Sequence, residues 1–166
     1  MRIKHRLPLT IAVTAATAMA TLVGLTTVTH AEGPTGVTAT VLSRGTLPSF
    51  NVRSDPHGPI ADFRAHSTDP IDLIVRKHDY AVGSSTGWHS HPGPIFITVT
   101  VGSLTYYESD DPCTPHVVSA GQSFVDTGDG HNVRNLSGAP AQDISVITAP
   151  VGGVFRTNID PPNVTC

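Results

Sequence analysis

The chain predicts an all-β domain, an antiparallel sandwich or barrel, and three observations carry that expectation. From Val37 onward, short runs rich in Val, Ile, Thr and aromatic residues are separated by Gly, Pro, Asp and Ser, the pattern of strands joined by tight turns. No stretch of this region shows the 3.6-residue apolar period of a helix. Turn signals such as Val101-Gly102-Ser103, Asp129-Gly130 and Ser137-Gly138 punctuate the runs.

Residues 1–31 read as an export signal. Arg2, Lys4 and Arg6 form a basic head, Leu7 to Leu25 is apolar and small, Thr29-His30-Ala31 approximates a small-x-small cleavage site, and no acid occurs before Glu32. The alternative is a membrane anchor, because the apolar run approaches the roughly 18–20 residues that span a bilayer. Its many Thr and Ala residues favour removal, giving a secreted protein with no stable membrane insertion after cleavage. The remaining segment, residues 32–166, holds 135 residues, enough for one domain with a core of its own. It carries 7 basic against 13 acidic side chains, a formal charge of −6. That balance, without any Lys/Arg cluster, argues against nucleic acid or an anionic membrane surface as a partner.

In chain order, strands are predicted over Val37–Leu42, Ile71–Arg76, Ile95–Val101, Leu104–Glu108, Val117–Ser119, Ser123–Val125, Ile144–Thr148 and Val154–Arg156. Leu47 to Pro70, with Pro48, Pro56, Pro59 and Pro70, is expected to wrap the outside or to contact a partner subunit. Cys113 and Cys166 are the two cysteines. In an oxidising compartment they are expected to pair, with free thiols or an intermolecular bridge as the alternatives.

The chemistry concentrates between Gly83 and Gly102, GSSTGWHSHPGPIFITVTVG. His89 and His91 stand two apart, and in an extended strand residues i and i+2 face the same side, so both imidazoles can converge on one point. A third histidine, His131, follows in GQSFVDTGDGHNVRN. These stretches resemble the two motifs of the cupins, G-x5-H-x-H-x3,4-E-x6-G and G-x5-P-x-G-x2-H-x3-N. Gly83, His89, His91 and Gly102 match the first, residues 83–102. Gly121, Gly128, His131 and Asn135 match the second, residues 121–135, with one residue dropped before Gly128 and Asp126 where the family has proline.

The resemblance implies a cupin-type double-stranded β-helix, a jelly-roll barrel, over residues 32–166, and a homodimer. It also implies His89, His91 and His131 as ligands of one divalent transition metal, Fe, Mn, Zn, Ni or Cu, all of which accept imidazole. The family's glutamate ligand is absent, since Ile95 and Phe96 occupy the two positions it could hold. A metal would then have three neutral ligands, leaving open positions for an anionic small molecule. Strand parity puts Ile95, Ile97, Val99 and Val101 on one face, with Val133 and Asn135 beside His131. Ile95, Ile97, Val133 and Asn135 are the expected pocket lining, with Trp88 and Tyr106 at the rim.

His57, His66, His78 and His116 lack spaced partners and read as surface histidines. No general base and no basic clamp stands out. Two functions follow. One is a dioxygenase-like oxidoreductase acting on a small organic substrate. The other is a non-catalytic cupin that holds a metal or a small ligand.

Overall fold

A computed structural model describes residues 31–60 and 62–166. The segment read as an export signal lies outside the described residues, apart from Ala31. Every regular element among the described residues is a strand. The elements are β1 (Thr35–Leu47), β2 (Phe50–Arg53), β3 (Arg64–Ser67), β4 (Ile71–Ser85), β5 (His89–Ser90) and β6 (Ile95–Val101). They continue with β7 (Ser103–Glu108), β8 (His116–Ser119), β9 (Ser123–Asp126), β10 (His131–Arg134), β11 (Ala141–Pro150) and β12 (Thr157–Asn158).

Ten strands form one curled antiparallel sheet in the order β12-β5-β10-β4-β11-β6-β9, with β1 added to β4 and the β7–β8 pair added to β10. The β2–β3 hairpin forms a separate two-stranded sheet. It occupies the Pro-rich stretch between Leu47 and Pro70, whose side chains are mostly exposed, as the sequence suggested.

Alternation with period two sets the inside of the barrel. On β6, Ile95, Ile97 and Val99 are buried while Phe96 is exposed. Val101 was expected on the same inner face but is exposed, because the β6–β11 pairing shifts register beside it, between Gln142 and Asp143. On β11 the inward residues are Ala141, Asp143, Ser145, Ile147 and Ala149. β4 pairs with β11 along its whole inner face, so Tyr80, His78, Arg76, Ile74 and Asp72 sit opposite those five residues in turn. The core therefore changes character along one rung system. Ile74, Ile95, Ile147, Val99 and Leu104 give it apolar bulk, while the inward Arg76, His78, Asp143 and Ser145 make one part of it polar.

Two glycines shape the ends of the site strands. Gly102 makes the β6–β7 turn at φ 69°, where a Cβ would lie 2.9 Å from the Pro140 carbonyl oxygen. Gly128, at φ 103°, lets the loop before β10 close on the His91 segment, where a Cβ would lie 2.8 Å from the His91 oxygen. Both need the left-handed backbone and the missing side chain.

The predicted strand at Val154–Arg156 is not formed; the chain there is irregular and β12 begins just after it. Its groups are used by neighbours instead, the Phe155 carbonyl by His91 and the Arg156 guanidinium by Thr86. Cys113 and Cys166 are joined in a disulfide within the chain. The bridge closes a separation of 53 residues, worth about 4 kcal/mol in the loop-entropy account. Replacing Cys166 with Ser is expected to lower the melting temperature by several degrees and to free the tail to proteolysis, with metal content unchanged. An unaltered melting curve would show that the tail is held by packing alone.

Candidate metal centre

His89 lies on β5, His131 opens β10, and the two strands pair with these residues directly opposite each other. Opposed residues of an antiparallel pair project to the same face. His91 follows β5 by one residue and returns to that face. The three imidazoles thus meet, with ring centroids 4.9 Å apart for His89–His91, 4.3 Å for His89–His131 and 5.4 Å for His91–His131. One ligand atom from each lies within 4.8 Å of the other two.

The tautomers follow from the hydrogen bonds. His89 Nδ1 donates to the Gly87 carbonyl at 2.9 Å and His91 Nδ1 to the Phe155 carbonyl at 2.5 Å, while His131 Nδ1 donates to the Asp126 carboxylate. An imidazole that donates from Nδ1 and is neutral presents a lone pair at Nε2. Burial, followed by the charge of His131, pushes the His89 pKa far below its ordinary value. The same two causes, in the same order, bring His91 down to about 4. The donor set is therefore three imidazoles oriented by oxygen acceptors, with His89 and His91 held neutral by burial, which fits a divalent transition metal.

Asp126 was invisible as a functional residue in the sequence. It stands where the motif has proline, opposite Ile95 in the β6–β9 pair, and is buried. Burial alone would raise its pKa, but the hydrogen bond and charge of His131 and the Gly128 N–H outweigh burial and keep it a carboxylate. A metal here has no carboxylate ligand among these residues, yet it has a negative charge one imidazole away.

These histidines open into a cavity of about 160 Å³. Ile95, Ile97 and Val133 line it. Asn135 does not. It is fully buried, and its amide donates to the carbonyls of Tyr80, Ala81 and Ala139, fastening the turn after β10. Trp88 and Tyr106 are not at the rim either: Trp88 lies near the disulfide, and Tyr106 stacks between Phe124 and His116. His78, expected at the surface, lines the cavity. Its Nδ1 is 2.7 Å from Asp143, which also accepts from the Tyr80 hydroxyl at 2.8 Å. Burial and the Asp143 charge drive the Tyr80 pKa up. Arg76 and Arg156 line the same cavity, so the basic side chains that no sequence cluster announced are supplied by β4 and by the segment before β12.

A family model described as the cupin domain matches residues 77–147. Residues 77–147 therefore make up a cupin domain. Its fold is accordingly the double-stranded β-helix, and its motif histidines are the three that converge. No curated protein matches the sequence. Among solved structures, this cupin is similar to an uncharacterized protein with a double-stranded β-helix domain from Klebsiella pneumoniae, 22% identical with a TM-score of 0.46, over 66% of this chain and 90% of that one. A cupin domain from Bordetella pertussis is 17% identical with a TM-score of 0.45, over 69% and 94% of the two chains. An oxalate oxidase in complex with the substrate analogue glycolate is 21% identical with a TM-score of 0.45, over 52% of this chain and 46% of that one. This cupin thus spans about half the length of that oxidase, and at these identities the likeness is one of fold.

Acid should weaken the metal-stripped cupin, and the sign can be fixed. His91 titrates at about 4 in the folded chain against 6.5 ordinarily, and His89 lower still. Between those values the unfolded chain binds more protons than the folded one, so stability rises with pH. The melting temperature of chelator-treated protein is expected to fall as pH drops from about 6.5 to about 4. A flat profile across that window would mean that these imidazoles are not buried and neutral.

Proposed function

We propose that this is an exported cupin that binds one divalent transition metal through His89, His91 and His131 and acts on a small organic acid as a dioxygenase-like oxidoreductase. The observation that carries the reading is the set of three imidazoles, each with Nδ1 already given to an oxygen acceptor and Nε2 left for a metal, lining one cavity. A bound metal would supply Lewis acidity and, if redox-active, a site for dioxygen chemistry. The residues of the chain do the rest. Ile95, Ile97 and Ile147 keep water from one side of the cavity. His78, held by Asp143, is the group placed to accept or return a proton.

The test is metal analysis of the purified protein, followed by oxygen uptake on the Fe(II)-loaded form with small carboxylic acids, diketones and catechols. Bound iron and substrate-dependent oxygen consumption would support the oxidoreductase. Stoichiometric metal without oxygen consumption would assign the site to binding alone, and a protein that takes up no metal would overturn both. Export is tested separately, by the intact mass of the secreted protein, which should begin at or near Glu32. A full-length 17.4 kDa species in the membrane fraction would indicate an anchor.

A further inference from the structure

Two polar atoms in the cavity have no partner. Arg76 Nε and Ser145 Oγ are both buried without a hydrogen bond, and their residues sit opposite each other in the β4–β11 pair. Ser145 is only 3% exposed. An unsatisfied buried donor is costly, more so when it belongs to a charged group, so two neighbouring orphans on a cavity wall mark a place where something else accepts.

Charge says what that acceptor must be. Arg156 is pinned by Thr86, whose carbonyl accepts from it at 2.7 Å, and by Asn158. Its pKa is pulled down by burial and then by the positive charge of Arg76 beside it. Burial likewise lowers Arg76, yet a guanidinium stays protonated. Arg156 lines the same cavity as His89 and His91. The cavity thus holds Arg76 and Arg156 together with the three histidines. The one carboxylate lining it, Asp143, is already shared between His78 and Tyr80. Neither arginine makes an ion pair among the described residues. The Asp143 charge favours the Arg76 guanidinium but does not outweigh its burial, so two half-buried like charges side by side would gain from a further anion between them.

We propose that Arg76, Arg156 and Ser145 form an anion subsite and that the ligand of the cavity is a small carboxylate, held by the guanidinium pair and directed at the three histidines. A planar carboxylate fits the guanidinium fork, and Ser145 Oγ can donate to the same oxygen. A cavity of about 160 Å³ limits the ligand to a few carbon atoms. The direction toward the histidines rests on the metal reading above; the subsite itself does not.

Calorimetric titration with malonate, first on chelator-treated and then on Co(II)-loaded protein, separates the two. Metal-free parent should bind malonate, and Arg76→Gln and Arg156→Gln should each weaken it by about tenfold or more, with Arg76→Lys recovering part of the loss. Ser145→Ala should weaken it less, and uncharged malonamide should not bind. Co(II) should tighten malonate in the parent and perturb the Co(II) absorption spectrum. Equal malonate affinity in both Gln variants, equal binding of malonamide, or a preference for inorganic phosphate would overturn the carboxylate subsite. A parent that takes up no Co(II) would sink the metal reading while the metal-free titration still decides the subsite.

Discussion

Replacing His91 with Ala is expected to cut metal affinity by at least about a hundredfold, beyond the 10–100-fold typical of removing a partner that only orients a ligand. Among the described residues three side chains converge as ligands, so each supplies a third of the donor set. His131→Ala should lose metal to the same degree but should also destabilise the metal-free fold. It leaves Asp126 as a buried carboxylate without the imidazole that donates to it, and stranding a buried charge costs about 3–5 kcal/mol. His91→Ala removes a donor to the Phe155 carbonyl and leaves no charge stranded. The pair of variants therefore separates metal loss from unfolding, by metal analysis of each alongside its melting curve. Asp126→Asn completes the series: all three ligands remain while the charge behind His131 is gone, and affinity should fall about 10–100-fold. If His91→Ala and His131→Ala both hold metal as the parent does, the triad is not a metal site.

The part of this site that was legible in the sequence is the part written locally. His89 and His91 are two apart, so strand parity points both to one face, and the resemblance of the glycine-marked stretch before His131 to the second cupin motif added the third. The opposite wall was not legible, because its residues come from β4 and β11 and meet only through sheet register. Arg76, His78 and Tyr80 continue the inward alternation begun by Asp72 and Ile74, but their polarity ended the apparent strand at Arg76. Asp143 and Ser145 break the apolar alternation of β11 in the same way. A functional cavity is where the inside of a barrel stops being apolar, so hydrophobic pattern fails at the positions that matter most. Reading parity through the polar residues, at positions 72, 74, 76, 78 and 80, was the signal that could have found them. Asp126 was hidden differently, as a departure from the motif whose meaning depends on reaching His131 five residues on.

Ile95→Glu is expected to change the centre most in the other direction. Ile95 is 1% exposed, lines the metal cavity, and lies opposite Asp126 in the β6–β9 register. A glutamate there is buried beside a second carboxylate, so in the metal-free protein its pKa should rise and the fold should weaken. A divalent ion reverses that balance, since it removes the repulsion and gains a hard, charged oxygen ligand. Affinity should rise by about tenfold or more, most for Mn(II), which carboxylate suits better than imidazole alone. The melting curve should show the same sign change: below the parent without metal, and raised further than the parent when Mn(II) is added. The new charge also competes with any carboxylate that Arg76 and Arg156 direct at the ion, so malonate binding to the metal-loaded variant should weaken while both arginines stay in place. Unchanged Mn(II) affinity in a folded Ile95→Glu protein would mean that the position, though it lines the cavity, does not reach the metal.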